Sequence, residues 1–321
     1  MTTNTADRPA PVDPYVRITS RILEQLEGGV TPWTQPWSAD HLAGRVTRPL
    51  RVTGEAYQGI NVLLLWMEAV AAGHPSPTWM TYQQAQKLGA QVRKGERGTP
   101  VVYYGEATRK GGGQGGDGGE PTTDQDGDGE DGRPLRFLKS YTVFNVGQVD
   151  GLPERFTPAE APSPALPGPE RIERAEAFFA ATGLEVRHGG DRAFYSVKED
   201  RIQLPPIEAF RDAESYYATR GHESVHATRH PSRLDRDLGR KRFGDEGYAR
   251  EELVAELGSA FLAADLGLAL EPRPDHAAYL ESWIKVLQDD KRAVVQAASH
   301  AERAVRFLHG VQPGRTEAAV P

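Results

Sequence analysis

The five residues His-Glu-Ser-Val-His at positions 222 to 226 have the types and spacing of a hydrolytic metal site. Two histidines four residues apart lie on one face of a helix, so both imidazoles can reach the same ion. Glu223 lies beside them and can act as a general base toward an attacking water. The motif therefore predicts metal-assisted hydrolysis on a helix that runs from about residue 212 to 229 and ends before Pro231.

The third protein ligand of this site is expected to be a carboxylate. The chain contains no cysteine, so imidazole, carboxylate and water are the ligands that remain. Glu251, Glu252 and Glu256 lie on the next helical pattern, and Glu252 and Glu256 share one face of it. Two like charges on a buried face are unfavourable unless a cation lies between them or one of them holds a ligand imidazole. Glu251 is expected to face the solvent.

Hydrolysis also needs a hydrogen-bond donor for the negative oxygen that develops in the transition state. The sequence offers four candidates, which spacing alone does not rank: Tyr216, Tyr217, His276 and Tyr279. His230 follows His226 by four residues, but Pro231 ends the helix there. We therefore expect His230 to lie outside the set of ligands.

Composition limits the class of protein. A chain of 321 residues and 35.2 kDa is long enough for two domains with a buried core. It has no apolar run of the length of a membrane helix and no signal-peptide pattern, so we expect a soluble, cytoplasmic protein without membrane contact. The formal charge is −7, yet residues 1–110 carry 12 Lys+Arg against 9 Asp+Glu. This first part is the only candidate surface for a polyanion.

The order of the elements predicts the α+β class and two domains. Residues 1–14 are a polar leader predicted to be disordered, and residues 15–156 form a first domain of mixed helix and strand. Within it, residues 111–132 contain seven acids and no base, which predicts a solvated insertion in a β-hairpin. A proline-rich linker spans 157–169, and residues 170–321 form a mostly helical second domain with a small sheet.

Hydrophobic spacing and turn residues predict the elements of both domains. The predicted helices span residues 15–26, 59–72, 81–88, 170–183, 212–229, 247–266 and 275–308. Residues 91–104 are predicted as a strand, a basic turn and a second strand, with further strands at 137–146, 193–195 and 201–204.

Aromatic and cationic residues are interleaved in the first domain, as the binding of single-stranded nucleic acid requires. Bases stack on the rings while Lys and Arg contact the phosphates. A ring in such a pattern can also be core, and Trp66 in its apolar helix is expected to be. The rings are Trp33, Trp37, Tyr57, Trp79, Tyr82, Tyr103 and Tyr104, and the cations are Arg45, Arg48, Arg51, Arg93, Lys94 and Arg97.

Several segments together resemble the ArdC-type antirestriction proteins of plasmids and mobile elements. The resemblance covers about residues 15–156 and 170–310. In the first half the segments are Pro32 to Trp37, Tyr57 to Asn61, Ser76 to Trp79 with Gln84-Ala85, Val92 to Glu96, and Val143 to Asn145 with Gln148 to Pro153. In the second half they are Tyr216 to Thr219, the motif itself, His230 to Leu234, Glu251 to Leu257, and Tyr279 with Ser282-Trp283 and Lys291 to Ala293.

The resemblance implies an N-terminal domain that binds single-stranded DNA, a zincin-like metallopeptidase domain, and protection of foreign DNA from host restriction. It favours as DNA contacts Trp33, Trp37, Arg48, Arg51, Tyr57, Asn61, Trp79, Arg93, Lys94 and Arg97. In similar Glu-zincins an acid four residues after the ligand glutamate orients a histidine. This favours Glu252 as ligand and Glu256 behind it, and the reverse assignment stays open.

The sequence favours zinc at the site, and Mn²⁺ or Co²⁺ are alternatives. Departures from the family's pattern at Arg220-Gly221, Ser224 and Arg229 leave the ligands and the base intact. One alternative function is a cytoplasmic zinc peptidase that cleaves a specific regulatory protein and has no DNA role. A second is a binding module whose metal is structural.

Overall fold

The computed structural model describes residues 13–34, 46–74, 76–107, 135–156, 168–239, 242, 244–268 and 276–314. The acidic insertion and most of the predicted leader and linker lie outside these residues. The described chain has a first half of mixed helix and sheet and a mainly helical second half. The predicted α+β class is confirmed.

The described first half combines three helices with six strands. The helices are α1 (Pro14–Glu27), α2 (Ile60–Ala72) and α3 (Tyr82–Lys87). The strands are β1 (Leu50–Arg51), β2 (Thr78–Met80), β3 (Gln91–Val92), β4 (Thr99–Ala107), β5 (Leu135–Asn145) and β6 (Val149–Asp150). One sheet has the order β1-β2-β5-β4, and β3 pairs with β6 in a separate sheet.

Local chemistry sets the ends of these helices close to the predicted positions. Asp13 caps α1 by accepting a hydrogen bond from Tyr15 N at 2.7 Å. Thr81 and Gln84 form a reciprocal capping box at the start of α3. α2 ends at Gly73, which adopts a left-handed conformation with φ 66°.

The basic segment between β3 and β4 joins two strands, as the strand, turn and strand prediction for residues 91–104 has it, but these two strands do not pair with each other. β3 pairs with β6, with Val92 opposite Val149. β4 pairs instead with β5, from Thr99 opposite Val143 to Ala107 opposite Leu135. Strand alternation indicates which face is buried but does not identify the partner strand.

The second half packs five helices and a small sheet. The helices are α4 (Gly168–Ala181), α5 (Ala213–Ala227), α6 (Glu246–Leu266), α7 (His276–Asp289) and α8 (Ala293–Gly310). The strands are β7 (Glu185–His188), β8 (Phe194–Ser196) and β9 (Arg201–Leu204), and β9 lies between the other two. None of the described helices has the length and apolarity needed to cross a membrane.

The helix predicted over residues 275–308 is two helices, α7 and α8. Asp290 lies at the break, where its Oδ1 accepts a hydrogen bond from Arg292 N at 2.8 Å. Its Oδ2 accepts one from Arg250 at 2.9 Å. Such hydrogen bonds from a side chain to the backbone compete with those of the helix and end it. The sequence does not indicate this break, because apolar residues continue at helical spacing on both sides of it.

The two halves share one hydrophobic core. Buried residues of α1, α2 and β4 belong to the same cluster as those of α5, α6 and α8. Trp33 of the first half meets Trp283 of α7 edge-on, with ring centroids 5.3 Å apart. α1 also packs on α7, and α2 on α8. The described halves are therefore held together by apolar contact.

Arg48 is a buried polar link between the halves. Its side chain is 7% exposed and donates to Asp265 at 2.9 and 3.0 Å and to Glu302 at 2.6 Å. Its guanidinium carbon also lies 4.7 Å from the centroid of the Phe261 ring. Glu302 accepts a further bond from Gly59 N at 3.1 Å. This placement corrects the prediction of Arg48 as a DNA contact, because its charge is paired inside the protein.

A second polar contact joins β8 and β9 to the segment after α5. Arg233 donates to both oxygens of Asp200, with Nη1 3.1 Å from Oδ2, and to Tyr195 Oη at 3.0 Å. Tyr195 in turn donates to Asp200 Oδ1 at 2.7 Å. The hydrogen bonds from Arg233 hold the pKa of Asp200 below its ordinary value, against the effect of burial. We call these three residues the clasp.

Arg48→Ala is expected to lower the free energy of unfolding by about 3–5 kcal/mol, because Asp265 and Glu302 would lose their buried cation. Urea denaturation followed by circular dichroism measures the loss. Arg21 is the matched control, since it and its partner Glu68 are 33% and 27% exposed. Arg21→Ala is expected to cost less than about 1 kcal/mol, and equal losses for both variants would contradict the assignment of Arg48 as an anchor.

The clasp predicts a pH dependence of stability. An acid with a lowered folded-state pKa stabilises the fold above its unfolded pKa, about 3.9, and loses that contribution as the pH falls through the folded value. The difference in free energy of unfolding between the wild type and Asp200→Asn should therefore be largest near about pH 6 and shrink below about pH 4. Denaturant titrations across this range check it, and a difference independent of pH would refute it.

Candidate metal centre

α5 carries the histidine motif through the interior of the second half. Asp212 caps the helix by accepting a hydrogen bond from Ser215 N at 2.7 Å. Every residue from Arg220 to Ala227 is buried. The histidines therefore face other protein elements, whereas those of a surface helix would face water.

A glycine allows α6 to approach α5 closely. A Cβ atom at Gly258 would lie 2.8 Å from Val225 Cγ2, too near for any larger residue without displacement. Ser259 Oγ, next to it, donates to Ala218 O of α5 at 3.2 Å. This crossing brings the acids in the preceding turns of α6 beside the histidines of α5.

His222, His226 and Glu252 converge on one point. The two Nε2 atoms are 3.1 Å apart. Glu252 places its Oε2 3.5 Å from that of His222 and its Oε1 3.5 Å from that of His226. Ligands about 2.0–2.1 Å from a tetrahedral zinc are roughly 3.3 Å apart, and adjacent ligands of a six-coordinate ion are roughly 3.0 Å apart. The three side chains therefore fit a divalent ion, with both imidazoles presented through Nε2.

Glu251 lies behind His226 and is 1% exposed, which corrects the expectation that it faces the solvent. Its Oε1 is 3.2 Å from His226 Nδ1. Arg236 donates to both oxygens of Glu251, at 2.9 and 2.7 Å, and to Thr228 Oγ1 at 2.9 Å. A carboxylate on Nδ1 holds the proton there and leaves Nε2 for an ion. Spacing misplaced Glu251, because α6 around it is buried on all sides and has no single solvent face. Arg236 lies outside α6 and was not among the predicted site residues.

Glu256 lies behind His222 in the corresponding position. Its Oε1 is 3.4 Å from His222 Nδ1, which makes no hydrogen bond at that angle. Glu252 faces both Nε2 atoms, whereas Glu256 faces only the far nitrogen of one imidazole. The geometry favours Glu252 as the ligand and Glu256 as a residue that orients His222.

The centre holds an excess of buried negative charge. Glu223, Glu251, Glu252 and Glu256 are at most 6% exposed, and Arg236 is the one buried guanidinium that the described residues place against them. The four carboxylates outnumber the one guanidinium that the described residues show against them. Burying uncompensated charge costs several kcal/mol per group, so a divalent cation would relieve the site.

The pKa values of these groups respond to one another. Burial alone would lower the pKa of His226, but Glu252, Glu251 and Glu223 outweigh it and raise that pKa to about 10. Burial would raise the pKa of Glu251, but Arg236 and His226 bring it down to about 2. The pKa of Glu252 is also lowered, since both histidines outweigh its burial. A positive charge, whether a proton or a metal ion, is thus favoured between the ligands.

Glu223 is the remaining acid of the centre. It is 3% exposed and near enough to His226 to raise the pKa of that imidazole. Its carboxylate makes no hydrogen bond to another described residue. A carboxylate that no hydrogen bond holds can accept a proton from a reacting group and return it.

The candidate oxyanion donors lie in different surroundings. Tyr216 Oη is 2.9 Å from His188 Nε2, and Tyr217 Oη donates to Glu176 at 2.8 Å. Both hydroxyls are therefore already engaged. The side chain of His276 lies outside the described residues.

Tyr279 reaches the centre through a residue that the sequence analysis missed. Its hydroxyl is 2.9 Å from that of Tyr248, and Tyr248 also hydrogen-bonds to Glu252. Burial, followed by the charge of Glu252, raises the pKa of Tyr248, so its hydroxyl stays protonated and can donate. The spacing of four residues between Tyr248 and Glu252 was the signal in the sequence.

Three of the four rings that the resemblance favoured as DNA contacts are core residues in this structure. Trp33, Trp79 and Tyr57 are 0%, 1% and 3% exposed. Asn61 joins α2 to β4, since it donates to a carbonyl of β4 at 2.7 Å and accepts from an amide there at 2.8 Å. Buried rings offer no face to a base, so these predicted contacts are corrected. Trp37 lies outside the described residues.

The exposed cations of the predicted set are Arg51, Arg93, Lys94 and Arg97. Arg93 is tied to Glu96 at 2.9 Å and to Asp150 at 3.4 Å, which fixes the turn between β3 and β4. An open cleft of about 510 Å³ lies beside this turn, with Arg93, Arg97 and His74 in its wall. Arg93, Lys94 and Arg97 therefore belong to one polar surface, whereas Arg51 lies over the Tyr57 ring.

Both halves match described protein families. Residues 12–144 match the N-terminal domain of anti-restriction factor ArdC, and residues 173–300 match a zincin-like metallopeptidase family. The second match contains all three converging ligands.

Relatives cover nearly the whole chain. The uncharacterized protein y4eC of Sinorhizobium fredii (strain NBRC 101917 / NGR234) is 44% identical over 305 residues, 94% of this chain and 93% of that protein. A DNA primase TraC of Escherichia coli is 43% identical over 302 residues. That match covers 92% of this chain but only 27% of the primase.

Two solved structures are similar along their full length. The metal-free crystal structure of the antirestriction ArdC protein from the R388 plasmid is 40% identical, with a TM-score of 0.75. The Mn(II)-bound structure of that protein is 39% identical, with a TM-score of 0.73. Each match covers 95% of this chain and 100% of the solved one.

Titration calorimetry of metal-depleted protein with zinc and manganese salts tests the ligand assignment. Glu252→Gln should weaken metal affinity more than Glu256→Gln, whose loss should be about 10- to 100-fold because it only orients a ligand. Glu246, on the same helix and 62% exposed, is the control, and Glu246→Gln should bind as the wild type does. A larger loss from Glu256→Gln than from Glu252→Gln would reverse the assignment.

Proposed function

Since the chain belongs to the ArdC-type antirestriction family, we propose that it binds incoming single-stranded DNA and protects it from host restriction. The observation that carries the proposal is the similarity of both halves, over their full length, to the ArdC protein of the R388 plasmid. The E. coli protein that contains a related segment is also named for a function on DNA, as the DNA primase TraC. A cytoplasmic location is part of the proposal, because entering DNA meets restriction there.

The charge distribution supports a DNA surface on the first half. Residues 1–110 carry 12 Lys+Arg against 9 Asp+Glu, although the whole chain has a formal charge of −7. Lys94 and Arg97 are exposed and make no ion pair with another described residue, so their charges can face phosphates. The excess acids lie beyond residue 110, and residues 111–132 alone have seven acids and no base, so they would not attract DNA as the exposed cations before them would.

The second half supports a hydrolytic role at the metal centre. A divalent ion held by His222, His226 and Glu252 would supply Lewis-acid activation of a carbonyl and of water. Glu223 would take a proton from the attacking water at its carboxylate and return it to the leaving group.

Residues behind the ligands would hold this machinery in place. Glu251 and Arg236 keep the proton of His226 on Nδ1, and the hydroxyl of Tyr248 orients Glu252. We propose zinc, because two imidazoles, one carboxylate and a position for water are usual for catalytic zinc. Manganese fits the same three side chains.

Fluorescence anisotropy of the full-length chain with a labelled dT20 oligonucleotide, and with a duplex of equal length, tests the DNA proposal. The full chain is used because its halves share a core. We expect preference for the single strand and affinity that falls as salt rises, with a log-log slope of about −0.7 per phosphate neutralised.

A charge reversal and its matched control sharpen this test. Arg97→Glu should weaken binding at low salt and flatten the salt dependence. Lys198→Glu reverses an exposed charge between β8 and β9 and should bind as the wild type does. Absence of wild-type binding to dT20 at low salt would overturn the proposed function. Equal losses of affinity in both variants would show that the DNA contact does not lie at the basic turn.

A further inference from the structure

β4 is an edge strand that carries an exposed ring. Among the described strands it pairs with β5 alone, in a sheet of the order β1-β2-β5-β4. Tyr103 in the middle of β4 is 46% exposed, the largest exposure of any large hydrophobic residue described in the first half. Packing against the core does not account for a ring that leaves nearly half of its surface in water.

A neighbouring ring holds Tyr103 in place. Tyr141 of β5 meets it edge-on, with ring centroids 5.8 Å apart and an angle of 63° between the planes. Tyr141 is itself half-buried, and Tyr57, which is 3% exposed, hydrogen-bonds to it. The three rings form a row that begins in the core and ends at the surface. We call it the tyrosine row.

Cations stand at both ends of the tyrosine row. Lys139 is exposed and lies directly opposite Tyr103 in the β4–β5 register. Such opposite residues have Cβ atoms about 4.5–5.5 Å apart. At the other end, the exposed Arg51 places its guanidinium carbon 5.1 Å from the centroid of the Tyr57 ring.

A supported ring with a cation beside it is the arrangement that single-stranded nucleic acid needs. The ring face stacks with an unpaired base, and the cation contacts the adjoining phosphate. A duplex keeps its bases stacked inside and cannot use the ring, whereas both forms can use the cation. This surface would therefore select the single strand, which charge alone does not.

We propose that Tyr103, supported by Tyr141, is a base-stacking platform for single-stranded DNA, and that Lys139 contacts the phosphate next to the stacked base. The inference rests on the proposed function and names a surface for it. Of the rings that the sequence suggested for this role, Trp33, Tyr57 and Trp79 are buried. Exposure and a cross-strand cation distinguish Tyr103 from them.

The test uses full-length variants and labelled dT20 in the same anisotropy titration. Tyr103→Ala should weaken binding about tenfold or more, because one stacked base is lost, while its salt dependence stays that of the wild type. Tyr103→Phe keeps a ring and should bind within about twofold of the wild type. Lys139→Ala should reduce the slope of log affinity against log salt by about 0.7.

Phe194 provides the matched control, since it is 47% exposed and lies on β8 in the second half. Phe194→Ala should leave dT20 binding unchanged. Thermal melting of each variant separates a loss of contact from a loss of folding. A direct readout is crosslinking of a 5-bromodeoxyuridine oligonucleotide, which should label the tryptic peptide of residues 98–109, the one that contains Tyr103.

The outcomes separate this inference from the proposed function. Wild-type binding that Tyr103→Ala leaves intact, or that Tyr103→Phe loses as fully as Tyr103→Ala, would overturn the platform and leave the proposed function standing. Absence of wild-type binding to dT20 at low salt would overturn both. Loss with alanine, retention with phenylalanine and labelling of residues 98–109 would support the platform.

Discussion

The close crossing of α5 and α6 is the constraint on which the candidate centre depends. Gly258 permits it, because a side chain there would meet Val225. At this distance the acids of α6 must lie against the histidines of α5, and four buried carboxylates gather in one place. Such a cluster persists only if cations offset it. Arg236 offsets part of this charge from one side, and a divalent ion would offset more of it. The close packing of the two helices and the binding of a metal ion therefore depend on each other.

The charged groups and hydrogen bonds around the ligands support the two imidazoles differently. Glu251 holds Nδ1 of His226 and is itself held by Arg236, so the nitrogen that faces His222 and Glu252 is defined. His222 has Glu256 in the equivalent place, but its Nδ1 makes no hydrogen bond. The two histidines are thus supported unequally. The one with the stronger support also has the raised pKa, which makes it the group that a metal ion must deprotonate.

The sequence predicts more of the helices than of the contacts between elements. Caps and glycines mark helix ends because they act within a few residues, as Asp13 and Gly73 do. The pairing of β3 with β6, and the burial of Glu251, depend on elements far along the chain. Trp33 is exposed or buried according to whether α7 lies against it, and no local pattern contains that information. The motif predicted where the centre lies. The contacts of Glu251, Arg236 and Tyr248 behind the ligands could be identified only from the fold.

The departures from the family's pattern on α5 are explained by contacts that keep them from the ligands. Arg220 donates to Glu176 at 3.1 Å and lies over the Phe179 ring, so its charge is used on the flank of the helix toward α4. Ser224 donates to the carbonyl of Arg220 at 2.7 Å, a bond within the helix that satisfies its hydroxyl without an outside partner. A Cβ atom at Gly221 would lie 3.5 Å from Phe179, which is an ordinary contact, so the packing there does not require a glycine. A polar group inside a buried helix is tolerated when its hydrogen bonds are complete. Arg220 and Ser224 therefore make their contacts toward α4 or within α5, and the geometry of the two histidines depends on the crossing with α6.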